Sequence, residues 1–303
     1  MPSAREMRLR IRSVKNIAQV TRALEAVSAS KVKKAQQATF ATRAYAAKAW
    51  EVLTHLAAEP LDGKILHPLL EVRPEVRAIT IVFVSGDRGL AGAYNTNMVR
   101  AALNFERAQT APIRWITVGR KGRDMLLRRR KNIIADFSQR LSAAPLIREV
   151  RPIARAAIDD FLRGDADEVV LAYSDFVNTL TQKPTIKRLL PILPGQLAGE
   201  PIADHIALPH VTKYVYIYEP SPEAILDVVL PRFTELQIYQ AILESLASEH
   251  SARMVAMRNA TDNANELVEN LRLTYNKARQ QSITSDLLDI AGGAEALAQT
   301  LAK

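Results

Sequence analysis

The chain has 303 residues, 48% of them hydrophobic and 24% charged, a net charge of +9 and no cysteine. That length provides ample material for a buried core, and the missing thiols exclude a disulfide framework, a thiolate metal site and a cysteine nucleophile. The opening Met-Pro-Ser-Ala-Arg-Glu-Met-Arg has no apolar signal core, and runs such as Ile79–Val84 are far too short to span a bilayer; the expectation is a cytosolic protein whose membrane association would come through partners.

Residues 1–58 hold eleven Lys/Arg against three Asp/Glu, a balance of +8, with no Gly or Pro after Pro2. Val14, Ile17, Val20, Thr21, Leu24, Val27, Ser28, Val32 and Ala35 fall on one helical stripe, and Arg8, Arg12, Lys15, Arg22 and Lys33 lie opposite it. This predicts a long basic helix, ended by Glu59-Pro-Leu-Asp-Gly and the prolines at 68 and 74.

Residues 59–222 carry 23 basic and 18 acidic side chains and read as strands alternating with helices. Strands are expected at Ala78–Val84, Ile113–Val118 and Glu168–Tyr173, with later candidates at Thr185–Leu190 and Thr212–Tyr218. Helices are expected from the turn after Val84 to about Gln109, from Lys121 to Lys131, and from Pro145 to Leu162. The alternation predicts an α/β domain on a small, mainly parallel sheet.

Residues 223–303 balance at −4, from seven basic and eleven acidic side chains. Ser221 is a plausible cap with Pro222 at the first helical position, and Pro231 should break or kink the helix once. From Leu243 a heptad-like seam runs through Leu246, His250, Arg253, Met257, Ala260, Ala264, Leu267, Leu271, Thr274, Ala278, Gln281, Ser285 and Leu288. Such a helix is roughly 100 Å long and needs a partner helix or a sleeve of other subunits. Polar residues gathering toward its far end suggest a stretch with no constant helical partner, set inside other protein. The reading is an α/β fold with a long antiparallel coiled coil of N- and C-terminal helices and an inserted α/β domain. Its divisions are 1–58 for the first shaft helix, 59–220 for the central domain and 221–303 for the second shaft helix.

Sites of chemistry are scarce. The turn Ser85–Asn95 (SGDRGLAGAYN) follows a strand and opens a helix, but it lacks the Lys-Ser/Thr of a P-loop and the spacing of a dinucleotide fingerprint, which favours a structural turn. Histidines 55, 67, 205, 210 and 250 share no metal-ligand spacing. Asp159, Asp160, Asp165, Asp167 and Glu168 read as a solvated helix end, and Arg128–Lys131, without interleaved aromatics, as a solvated helix face. No catalytic centre and no cofactor are expected.

Three segments closely resemble the gamma-subunit family of F-type ATP synthases, the central rotor shaft. They are Ile11–Lys31 (IRSVKNIAQVTRALEAVSASK), the turn Ser85–Asn95, and the C-terminal blocks Ala252–Ala264 and Tyr275–Thr284, continuing to Gly293 and Ala294. Departures are conservative: Ala91 where many relatives have Cys, Gly86 where they often have Ser or Thr, Asp286 for Glu and Leu24 for Met. No cysteine-bearing regulatory insertion is present. The resemblance implies a non-catalytic shaft turning inside a ring of alpha and beta subunits, with the central domain binding the epsilon subunit and the membrane c-ring. The expected location is the cytoplasmic face of a bacterial plasma membrane, peripheral, with no nucleic acid partner and no direct insertion. The resemblance further implies that Arg253, Arg279, Gln280, Thr284 and Asp286 contact the surrounding ring, and that Arg8, Arg12, Leu24, Lys31 and Lys33 face acidic segments of the beta subunits. Two other classes compete with this reading. A basic coiled-coil protein would bind nucleic acid with steep salt dependence, and an α/β enzyme would bind a phosphorylated substrate at the glycine turn.

Overall fold

The computed structural model describes residues 4–58, 67–193 and 221–301. The expected strand at Thr212–Tyr218 and the histidines at 205 and 210 lie outside these residues. Two compact units are present: residues 28–253 form one, and residues 1–27 with 254–303 form the other.

The larger unit is built on a five-stranded sheet. Its elements are β1 (Ile79–Val84), α2 (Tyr94–Ala108), β2 (Ile113–Val118), α3 (Arg120–Leu127), β3 (Ile133–Asp136), α4 (Ile147–Leu162), β4 (Glu168–Phe176) and β5 (Gln182–Leu190). The first helix, α1, is Ala4–Ala58, and the last, α5, is Pro222–Leu301. Strand order is β3-β2-β1-β4-β5, with β1 to β4 parallel and β5 antiparallel to β4. β3 was not expected from the sequence, and α3 stops at Leu127, short of the predicted Lys131.

Both sheet faces are covered, which explains why β1 is a continuous apolar run rather than an alternating one. Ile79, Ile81 and Phe83 point to a core with Met98 and Ala102 of α2 and Leu126 of α3. Val82 and Val84 point to the other core, with Ile153, Ala157 and Phe161 of α4 and Leu230, Phe233 and Ile242 of α5. Trp115 packs edge-on to Phe83, ring centroids 5.9 Å apart.

Two expectations are corrected here. Pro231 lies inside α5 without interrupting it; apolar burial of Leu230 and Phe233 on either side holds the helix where one backbone bond is lost. The acidic cluster is a solvated helix end only in part: Asp159 and Asp165 are exposed, but Asp160 and Asp167 are buried. Asp160 accepts from Thr80 and from Arg114 Nη2 (2.7 Å), while Asp167 accepts from Arg73 Nη1 (2.9 Å) and the Arg77 amide (2.7 Å). Burial pushes the Asp167 carboxyl up, but Arg73 and the two backbone N–H bonds from Arg77 and Ala78 outweigh it and its pKa is lowered. Ser221 does cap α5, its Oγ accepting from the Ala224 amide at 3.2 Å.

In the smaller unit α1 and α5 are joined by a buried hydrogen bond between the Thr21 and Thr261 hydroxyls (2.7 Å). Counting equal steps outward, antiparallel, aligns Ala18 with Ala264, Val14 with Val268, Ile11 with Leu271 and Met7 with Tyr275, and every one of these is buried or half-buried. The α5 seam is therefore Met254, Met257, Thr261, Ala264, Val268, Leu271, Tyr275 and Ala278, not the predicted path through Ala260, Leu267 and Thr274. A step of four where three was expected turns every second core position by one residue, and Leu267 and Thr274 move to the surface. On α1 the same rotation leaves Ile17 and Val20 exposed and buries Ala18.

Candidate partner-binding surfaces

The turn Ser85–Asn95 stands at the C-terminal end of β1, between strands β2 and β4 that wind in opposite senses. In open α/β sheets this is the crevice where ligands usually bind. Here it is filled by α5. Arg253 donates from Nε and Nη2 to the Gly89 carbonyl (both 3.2 Å) and from Nη2 to Glu249 Oε1 (2.5 Å), and its Nη1 lies 3.1 Å from His250 Nδ1. Ser245 Oγ accepts from the Ser174 amide (3.1 Å), Ser248 donates to the Ser174 carbonyl (3.2 Å), and Tyr94 donates to the Ser245 carbonyl (3.2 Å). The turn is set by Asn95 Oδ1, which accepts from the Gly86 amide at 3.0 Å, and by the Lys121 amide on the Gly86 carbonyl at 2.9 Å.

Of the turn's glycines, only Gly92 has a left-handed φ (54°); the non-glycine Leu90 takes one too, at 61°. Gly86 is placed differently: a Cβ there would come within 2.8 Å of the Glu249 carboxyl carbon, so a side chain at this position would require the Glu249 carboxylate to shift. Burial raises the Glu249 pKa although Arg253 opposes it. Burial, with Arg253, Lys31 and Arg88 nearby, drops His250 to about 4, so its imidazole is neutral. Arg253 itself is buried with its guanidinium turned inward, and Lys31 is half-buried near the same cluster. Glu249 was missed from sequence; the one available signal was its i,i+4 spacing to Arg253.

On α1, Ile17, Val20 and Leu24 share one face, with Ile17 52% and Val20 59% exposed and Leu24 half-buried. Arg8 and Arg12 are exposed on another face of the helix, and Lys33 is exposed in the larger unit. The third surface is the end of α5. From Arg279 to Ala294 every residue is exposed, including Ile283, Leu287, Leu288 and Ile290. Helical spacing sets Arg279, Ile283, Asp286 and Ile290 on one face, and Gln280 with Thr284 on another, where the Thr284 hydroxyl donates to the Gln280 carbonyl (2.9 Å). Gly292 and Gly293 sit in mid-helix with open space where a Cβ would go, so nothing within the chain asks for glycine there. Among the described residues no helix is long and apolar enough to cross a membrane, and no group of His, Asp and Glu could hold a metal ion.

A family model described as ATP synthase matches residues 3–297. The ATP synthase gamma chain of Roseiflexus castenholzii is 49% identical over 302 residues, covering 99% of this chain and all of that protein. The chain belongs to the ATP synthase gamma-chain family. The Dehalococcoides mccartyi member is 48% identical over 298 residues, 98% of this chain and all of its own. Among solved structures, the fold matches the rotor of the Euglena gracilis mitochondrial ATP synthase with a TM-score of 0.60 at 18% identity, over 92% of this chain and 98% of that one. It also matches the Tetrahymena thermophila central stalk and c-ring structure with a TM-score of 0.56 at 23% identity, over 80% and 99%. Those two structures share the fold described above: two long terminal helices and an inserted mixed sheet.

Proposed function

We propose that this chain is the non-catalytic central-stalk subunit of an F-type ATP synthase, coupling ion-driven rotation of a membrane c-ring to ATP synthesis or hydrolysis on an alpha/beta ring. The observation that carries it is the end of α5. Sixteen consecutive residues from Arg279 to Ala294 are exposed on every side, yet they present Ile283, Leu287, Leu288 and Ile290. Four large apolar side chains exposed within three helical turns are suited to cover by other protein. Gly292 and Gly293 support this, since each costs about 1 kcal/mol in a helix and is suited to close approach by a neighbour. Membership of the gamma-chain family supports the alpha and beta subunits as that neighbour.

On this reading Arg279, Gln280, Thr284 and Asp286 contact the ring, while Arg8, Arg12, Leu24 and Lys33 on α1, with the exposed Ile17 and Val20, meet the beta subunits. Arg253 and Lys31 act from inside the larger unit. The central domain takes the epsilon subunit and the c-ring, and the chain sits peripherally at the cytoplasmic face of a bacterial plasma membrane. Co-expression with alpha and beta subunits should yield a stoichiometric ATPase; a chain that stayed apart from them and left their activity unchanged would end the proposal. Replacing both Arg279 and Gln280 by Ala should leave the chain folded and lower ATP-driven ion transport per ATP hydrolysed. Full coupling in that double variant would remove these residues from the contact set.

A further inference from the structure

The crevice at the C-terminal end of β1 is the place where a doubly wound sheet ordinarily receives a ligand. In this chain one face of α5 fills it, and the filling is polar: Ser245, Ser248, Glu249, His250 and Arg253 are all buried there. We propose that this crevice serves as a torque socket and that Glu249 is its positioning residue, holding the Arg253 guanidinium on the Gly89 carbonyl so that α5 cannot twist against the sheet. The inference rests on the rotary reading above.

Apolar contacts of Leu230, Phe233 and Ile242 keep α5 on the sheet but are non-directional, so they resist separation better than rotation about the helix axis. Hydrogen bonds to fixed backbone atoms have direction and do resist it. Those of Ser245 and Ser248 reach the strand β4, through Ser174. The Arg253 pair reaches the turn beyond β1, and Arg253 is the last α5 residue of the larger unit, the point where load carried by the rest of α5 enters.

A guanidinium can swing through several rotamers, and Glu249 removes that freedom. One turn before Arg253, its carboxylate takes Nη2 at 2.5 Å and leaves the Nε edge aimed at Gly89. Gly86 leaves room for the carboxylate in this position: a Cβ there would lie 2.8 Å from its carbon and 3.0 Å from its oxygens and would make it shift. Two independent features, the buried ion pair and the space left by Gly86, therefore converge on one guanidinium orientation.

The test uses the whole complex: this chain assembled with alpha, beta, epsilon and the membrane sector in inverted vesicles, with ATP hydrolysis and ATP-driven ion uptake measured together. The wild-type arm judges the rotary reading by itself, because absence of ion uptake dependent on this chain would overturn that reading whatever Glu249 does. With wild-type coupling in hand, Glu249→Ala should keep hydrolysis within about twofold and lose at least about fivefold in ion uptake per ATP. Glu249→Gln, which keeps an oxygen for Nη2, should recover most of that ratio. Tyr94→Phe removes a neighbouring buried bond to Ser245 without touching the guanidinium and should leave the ratio unchanged. Should the Ala variant fail to assemble, Arg253→Lys, which keeps the charge and loses the fork, should show the same loss. A wild-type ratio in Glu249→Ala or Arg253→Lys overturns the proposal, as does an equal loss in Tyr94→Phe, which would mark a general loosening in place of a positioning role.

Discussion

The two ends of α5 differ in a way their sequences do not announce. Between Leu226 and Arg253 the helix buries Ser245, Ser248, Glu249 and Arg253 beside Leu230 and Phe233. Between Arg279 and Ala294 it exposes Leu287, Leu288 and Ile290. Polarity and burial are thus inverted along one continuous helix, and each half makes sense only through what surrounds it. The first half has fixed backbone partners that satisfy its polar groups, and the second exposes apolar groups that, on the proposed function, meet another chain.

Truncations at the two ends should therefore have opposite signatures. Phe233→Ala empties a buried site in the core shared by α4, α5 and the sheet and should cost the isolated chain about 3–5 kcal/mol in urea unfolding. Leu288→Ala, at 66% exposure, should stay within about 0.5 kcal/mol of wild type while weakening assembly with alpha and beta subunits. Comparable destabilisation of the isolated chain by both would show that the end of α5 is packed within the chain.

The buried half can also be probed through pH. The folded-state pKa of His250 lies at about 4, below its ordinary 6.5, because burial and then Arg253, Lys31 and Arg88 oppose the charged ring. The unfolded chain takes up this proton first. The stability it contributes is complete above pH 6.5 and is lost as the pH falls through about 4. Across that window wild type should lose up to about 3 kcal/mol more than His250→Gln, read as the difference between their urea midpoints. Parallel curves would place the imidazole in water. Nothing comparable is expected from the exposed half, which has no histidine.

How much of this was readable in advance depended on where each residue's partner lies in the sequence. β1 and β2 were legible because a run such as Ile79–Val84 has no other way to be buried. β3 was not: three of its four residues are only half-buried, Asp136 is exposed, and the strand follows the basic run Arg128–Lys131. The charges of Asp160 and Asp167 looked solvated because their partners, Arg114 and Arg73, stand 46 and 94 residues away. The socket was hidden for the same reason, with Arg253 and Gly89 separated by 164 residues. The exposed end of α5 was legible through family resemblance and its polar seam, and on the proposed function its partners lie in other chains. The seam itself was misplaced by one residue at alternate positions because Leu267 and Ala260 are more apolar than Thr261.

That choice of Thr261 over a more apolar neighbour gives the smallest expected effect. The two hydroxyls carry one proton each, while five acceptors compete for them: the two hydroxyl oxygens, the Met257 carbonyl (2.9 Å from Thr261 Oγ1), and the Ile17 and Ala18 carbonyls (both 3.1 Å from Thr21 Oγ1). Removing either hydroxyl leaves the other free to bond its own helix, so no buried donor is orphaned. Thr21→Val and Thr261→Val should therefore each cost only about 0.5–1 kcal/mol, at the low end for a buried hydrogen bond. The double variant should cost little more than one of them, giving a coupling of about 0.5 kcal/mol or more in the cycle. Native-state amide exchange of α1 residues near Ala18 reads this locally, without requiring the larger unit to unfold. A strictly additive cycle would mean that the hydroxyls do not share their protons, and that the helices are held in register by the apolar seam alone.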